Sequence, residues 1–274
     1  MATNADTDPT RRLARPGGHI AFDVVGTGPL VVCAPGMGDL RSVYADLASD
    51  LAAAGFTVAT MDLRGHGASD TTFSSYGDAE TAGDLLALVD LLGGPAVLVG
   101  NSMSAAAGVL AAAREPAAVA GLVLIGPFVR RVPISRATRF ALRVGLVRPW
   151  GPRVWAAYYA KTLNPGRKPA GLDAHVKALR AAGARPGAWR AFVATTRTTR
   201  DEAESVLRNV ATPTLVVMGD ADPDFPDPAA EAALVAERLG GTVLMVPGAG
   251  HYPQAQWPEV VSPRLAEFVA GAHA

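Results

Sequence analysis

A single cysteine, Cys33, excludes an internal disulfide and a multi-cysteine metal site. It closes the apolar run L-V-V-C-A (residues 30–34) and reads as a buried core thiol. Long apolar runs are also missing. Nothing is long enough to cross a bilayer, and the start M-A-T-N-A-D-T-D-P-T-R-R has no signal-peptide core, so a cytoplasmic protein without a membrane span is expected. Formal net charge is +0, which gives no overall pull toward nucleic acid or membrane. Acids are nearly absent from one stretch: residues 128–200 hold thirteen arginines and three lysines against Asp173 alone. The remainder of the chain carries the opposite excess. No nucleic-acid-binding motif accompanies this basic stretch, which argues against a nucleic-acid partner.

What is present is apolar. Hydrophobic residues make up 49% of 274, enough for one large α/β core. Short apolar runs fall at 19–25, 30–34, 56–61, 96–99, 121–125, 214–218 and 242–246. Between most of them lie helical patterns, at 44–54, 78–92, 103–114, 229–239 and 258–270. This alternation predicts a mostly parallel β-sheet flanked by helices. The first two strands, joined by the short turn 26–29, read as antiparallel. Residues 1 to about 12 read as a frayed polar tail. From about 128 to 208 strands stop and the pattern is helical, broken by prolines. This stretch is expected to sit over the carboxyl ends of the strands, where open α/β sheets bind ligands.

The chain is organised around V-L-V-G-N-S-M-S at 97–104, a strand running into a small-residue helix through Ser102. A serine on so sharp a turn is a nucleophile elbow, with a helix N-terminus behind it to favour negative charge. The usual G-x-S-x-G ends here in Ser104. Serine needs a base. Of five histidines, His251 alone follows the last strand in a glycine-rich loop, G-A-G-H-Y-P. Alone it reads as a surface-loop residue; its place after an elbow and an acidic loop reverses that. His66 lies in a glycine-rich turn with a local structural role. The base needs an orienting acid. The loop after 121–125, G-P-F-V-R-R, holds none. The loop G-D-A-D-P-D-F-P-D at 219–227 holds four, some of them turn and helix-cap aspartates. Asp222 is the choice, Asp224 its rival, and Asp220 a brace. The oxyanion donors expected are the backbone N–H groups of Met103 and of Met37, in the loop P-G-M-G at 35–38.

These motifs resemble the α/β-hydrolase fold family. The elbow G-N-S-M-S, the turn D-L-R-G-H-G-A-S at 62–69, the loop G-D-A-D-P at 219–223 and G-H at 250–251 match it in kind, and Ser102, Asp222, His251 follow its order. The resemblance implies an α/β-hydrolase core of residues 1–127 and 209–274 with an inserted helical cap, 128–208. It further implies a Ser-His-Asp triad without cofactor or metal, and it makes Asp62, Arg64 and His66 structural. Pro35 departs from it, standing where many members have histidine.

The activity so implied is hydrolysis of a small or medium-sized carboxylic ester through an acyl-enzyme. C–C hydrolysis of the meta-cleavage-product type is the alternative, since the elbow G-N-S-M and Gln256-Trp257 resemble that subgroup. A cofactor-free haloperoxidase-type activity would use the same triad. A dehalogenase or epoxide hydrolase of this fold would need aspartate at the elbow. A non-catalytic binding protein would have no need of the triad. The partner expected is a small-molecule substrate. Two readings of the basic stretch compete: solvated helix faces docked on an acidic core, and a cap that attracts an anionic or acyl-bearing substrate. Phe140, Leu142, Leu146, Trp150, Trp155, Tyr158, Tyr159, Trp189 and Phe192 pack this stretch, and a few of them would line a pocket.

Overall fold

In a computed structural model of the chain, residues 10–131, 140–141 and 144–274 are described. Eight strands form one sheet in the order β1-β2-β4-β3-β5-β6-β7-β8. They are β1 (Arg11–Arg15), β2 (Gly18–Val25), β3 (Leu30–Ala34), β4 (Thr57–Met61), β5 (Ala96–Asn101), β6 (Val119–Ile125), β7 (Thr214–Gly219) and β8 (Thr242–Val246). β1, β2 and β4 pair antiparallel in that order, and every other pairing is parallel.

The apolar runs are strands because a period of two sends successive side chains to opposite faces, and both faces are covered. Val32, Leu98, Leu122 and Val216 pack toward α2 (Asp78–Leu92), α3 (Met103–Arg114) and α8 (Pro228–Leu239). Val31, Val97, Val123 and Leu215 pack toward α1 (Ala45–Ala53) and α10 (Pro258–Ala272). Cys33 lies fully buried on this second face, where burial pushes its thiol pKa up. Between β6 and β7 the chain forms α4 (Gly151–Lys161), α5 (Leu172–Ala184), α6 (Ala188–Thr195) and α7 (Asp201–Val206), and after β8 the short α9 (Pro253–Gln256).

One expectation is corrected and one is refined. The basic segment Arg11–Arg15, with its first two residues read as tail, is an edge strand; only Leu13 of it is buried, so its apolar pattern is minimal. The run 19–25 does run antiparallel to 30–34, as expected, but it does not pair with it, because β4 lies between them. The turn passes over the start of β4 instead, where Thr57 donates from its backbone N–H to Pro29 O and from Oγ1 to Gly28 O, both at 2.9 Å.

The helices between β6 and β7 carry the basic excess. Arg130 pairs with Glu231, Arg131 with Asp201, Arg167 with Glu259 and Arg200 with Asp78. The last pair is buried, with the guanidinium donating to both carboxylate oxygens at 2.5 and 2.7 Å. Burial nevertheless raises Asp78 to about 6. Arg153, Arg180, Arg190 and Arg197 are exposed. Arg185 instead donates to the backbone carbonyls of Gly67 and Ser69, so the described arginines of this insertion dock it on acids or on the turn at 62–69, or face solvent. Leu142, Arg136, Arg139 and Arg143 lie outside the described residues. No described helix is long and apolar enough to cross a membrane.

Candidate active site

The site gathers at the carboxyl ends of β3, β5, β6, β7 and β8. β5 ends at Asn101 and α3 begins at Met103. Ser102 between them has φ 56° and ψ −117°, and among the described residues no other non-glycine has positive φ. Such a backbone costs about 1–3 kcal/mol and persists only where its surroundings enforce it. Here Ser102 N–H donates to Ile125 O at 2.8 Å, and Ser102 O accepts from Phe128 N–H at 3.2 Å. The side chain stands at the amino end of α3, and the residue is 6% exposed.

His251 is 2% exposed, and its Nδ1–H donates to Asp222 Oδ2 at 2.7 Å. Nε2 is therefore the free edge, an acceptor in the neutral ring. Burial pulls the imidazole pKa down, but the Asp222 carboxylate outweighs it, and the pKa rises from 6.5 to about 9. Asp222 is buried, and its Oδ1 accepts from Asp224 N–H at 3.0 Å. Asp224 stands 3.9 Å from the same Nδ1 and is engaged by the Tyr158 hydroxyl of α4. Asp220 accepts from Gly248 N–H at 2.7 Å, bracing the β7 loop against the β8 loop, and Asp227 caps α8 by accepting from Ala230 N–H at 3.0 Å. The four aspartates of this loop have four different tasks, and Asp222 is the one bonded to His251. The β6 loop gives way to the pair: a β-carbon on Gly126 would stand 3.0 Å from His251 and 3.2 Å from Asp222.

The loop after β3 passes directly over Ser102. A β-carbon on Gly36 would lie 3.0 Å from Ser102 Cβ. Neither Met37 N–H nor Met103 N–H donates to a protein acceptor among the described residues. Asp222, Asp224 and His251 also offer three close metal-ligating atoms, but the 2.7 Å bond already occupies His251 Nδ1.

Three features of the site gain their partners only in the structure. Asn101 Nδ2 donates to Ile125 O at 3.1 Å and to His251 O at 3.2 Å, tying the elbow to the histidine loop. Its place beside the serine was the available signal. Ser104 Oγ–H turns away from the site to Pro35 O at 2.6 Å. In the turn at 62–69, Asp62 accepts from the N–H groups of Arg41 and Ala68 at 2.9 and 2.8 Å, and Arg64 pairs with Asp84. His66 Nδ1–H donates to Arg64 O at 2.9 Å, while Nε2 accepts from Gly38 N–H at 3.0 Å. Burial lowers the His66 pKa, which keeps the ring neutral in that bridge.

The sequence profile of the alpha/beta hydrolase family matches residues 31–263. The chain belongs to that family. Among curated relatives, it is 30% identical over 266 residues to the 2-(acetamidomethylene)succinate hydrolase of Mesorhizobium japonicum, covering 92% of each chain. It is 27% identical over 258 residues to a putative carbamate hydrolase, RutD, of Variovorax paradoxus, covering 89% of this chain and 92% of that one. Among solved structures, a thermophilic esterase from Thermogutta terrifontis, with malate bound, superposes with a TM-score of 0.80 at 26% identity, over 97% of this chain and 100% of that one. Relatives of this alpha/beta hydrolase are thus named as hydrolases.

Proposed function

We propose that this alpha/beta hydrolase is a serine hydrolase that cleaves a carboxylic ester of small or medium size through an acyl-enzyme. The observation that carries the reading is the buried His251–Asp222 bond of 2.7 Å beside a serine in a strained backbone. Asp222 fixes the tautomer that leaves Nε2 as a base. Ser102 Oγ attacks the carbonyl carbon while its proton passes to His251 Nε2. The carbonyl π pair moves onto oxygen, which accepts from Met37 and Met103 N–H. Collapse breaks the bond to the alkoxy group, which leaves as the alcohol with the proton from His251. Water then attacks the acyl-enzyme with His251 as base, releasing the acid and restoring Ser102. Residues 128–208 act as a cap over this site, with Trp155, Tyr158 and Phe128 near it. No cofactor or metal takes part.

A second reading is hydrolysis of an amide or carbamate by the same residues. What favours it is that two relatives are named for an acetamido and a carbamate compound.

The test is labelling by a fluorophosphonate probe, followed by turnover of p-nitrophenyl esters of graded acyl length, an acetamide, a carbamate and one meta-cleavage product. The reading expects labelling of the native chain, none of Ser102→Ala, and loss of nearly all turnover in that variant. A folded native chain that resists the probe would instead favour the binding-protein alternative. Turnover of the meta-cleavage product alone would move the assignment to C–C hydrolysis.

A further inference from the structure

The turn that carries Met37 is held from two sides. Asp39 N–H donates to Gly36 O at 3.2 Å, closing four residues. Gly38, third in the turn, has φ 74°, the left-handed value that a type II turn needs there. From the core, Ser104 Oγ–H holds Pro35 O and His66 Nε2 accepts from Gly38 N–H. From the helices between β6 and β7 come three further bonds. Trp155 Nε1–H donates to Gly38 O at 2.9 Å, the Tyr159 hydroxyl to Asp39 Oδ2 at 3.2 Å, and His175 Nε2–H to Asp39 Oδ1 at 2.7 Å. The rings of Trp155 and Phe192 lie so close that a β-carbon on Gly38 would stand 2.6 Å from both.

Asp39 is fully buried, and a buried carboxylate is costly unless it is paired and hydrogen-bonded. Its partners are His175, Tyr159 and the N–H of Leu40 at 2.7 Å. The other nitrogen of His175 meets Ser42 Oγ at 3.1 Å. This second aspartate–histidine pair has no step in the reaction above. It joins α5 to the one loop whose position decides whether Met37 N–H meets an oxyanion.

We propose that His175 is a positioning residue: through Asp39 it fixes the turn that presents Met37 N–H, so that the insertion, and not the core alone, completes the oxyanion hole. The proposal rests on the serine-hydrolase reading. Oxyanion donors act at 2.7–3.1 Å from the developing charge, and a misplacement of about 1 Å costs about 10²-fold in rate. Without His175, the buried Asp39 carboxyl loses one of its hydrogen-bond partners, and the turn relaxes. The loss falls on kcat, because the hole binds the tetrahedral state more tightly than the ground-state carbonyl.

The experiment measures kcat and KM for p-nitrophenyl acetate, with circular dichroism, on native chain, Ser102→Ala, His175→Ala, His175→Gln, Tyr159→Phe and Arg167→Ala. For His175→Ala the expected fall in kcat is about 10- to 100-fold with KM held within about twofold. His175→Gln, which keeps an N–H donor toward Asp39, regains part of that loss. Arg167→Ala removes an exposed pair that ties the insertion to α10 without touching the turn; its kcat should equal the native value. Folded His175→Ala with native kcat, a rise in KM alone, or an equal loss in Arg167→Ala each overturns the proposal. If His175→Ala does not fold, Tyr159→Phe decides: a lowered kcat supports the positioning role, an unchanged one overturns it. Turnover that persists in Ser102→Ala overturns the serine-hydrolase reading itself, which is a separate failure.

Discussion

Replacing Asp222 by asparagine tests the assignment of the acid most directly. The carboxylate lies 2.7 Å from His251 Nδ1, both groups are buried, and together they raise the imidazole from 6.5 to about 9. At about 1.4 kcal/mol per pKa unit, that rise is worth about 3 kcal/mol in favour of the imidazolium. In the proposed reaction the imidazolium is the form that develops as Ser102 attacks. Its loss therefore raises the barrier by up to that amount, about 10²-fold in kcat/KM. Asparagine can also hold the ring in the wrong tautomer, which extends the loss toward about 10⁴-fold. Asp224→Asn removes a contact of 3.9 Å on a partly exposed carboxylate already engaged by Tyr158. A pair of that kind is worth at most about 1 kcal/mol, about fivefold. Steady-state turnover of p-nitrophenyl acetate across pH reads both variants, and the ascending limb of Asp222→Asn should move down toward pH 6.5. An equal loss in the two variants, or an Asp222→Asn chain with an unmoved limb, would refute the reasoning.

Two further outcomes follow from the same geometry. Ser102→Gly should abolish turnover yet stabilise the fold by about 1 kcal/mol, since glycine adopts the backbone of residue 102 without strain; urea unfolding checks this, and a destabilised variant counts against strain. His175 and His251 both have folded pKa values raised above 6.5 by their aspartates, against the lowering effect of burial. The stability they contribute is complete below about pH 6.5 and is lost as pH rises through the folded values. Tm should therefore fall between about pH 6.5 and 9 while kcat/KM, which needs neutral His251, climbs over the same window. A Tm that rises there would contradict the sign.

Most of the sheet was legible because each central strand is a short apolar run buried on both faces, and the helices between them have clear starts and stops. What escaped is what depends on neighbours distant in sequence. Arg11–Arg15 is a strand by virtue of one buried leucine and a partner on one side. The turn at 26–29 shows the opposite directions of its two strands but not that β4, which comes later in the chain, lies between them. In the site, chain order located the serine, the acidic loop and the histidine. Composition could not separate Asp222 from Asp224, because both are aspartates two residues apart and only the three-dimensional path of the loop gives one of them to His251. Asp39 follows directly after P-G-M-G, and His175 sits in a stretch read only as basic helix; nothing in either segment announces the other. The charge contrast was visible as a count, whereas its use became clear only when arginines met Glu231, Asp78 and Glu259.

Ser104 and Pro35 were each a departure from the family pattern, and they turn out to be joined, hydroxyl to carbonyl, at 2.6 Å. The acceptor is a backbone carbonyl, so the bond depends on the hydroxyl at 104 and not on which residue stands at 35. An engineer who restores the customary glycine at 104 strands the carbonyl of residue 35 in a dry place. A library intended to retune this enzyme can vary residue 35 without losing that acceptor, but it should keep a hydroxyl at 104.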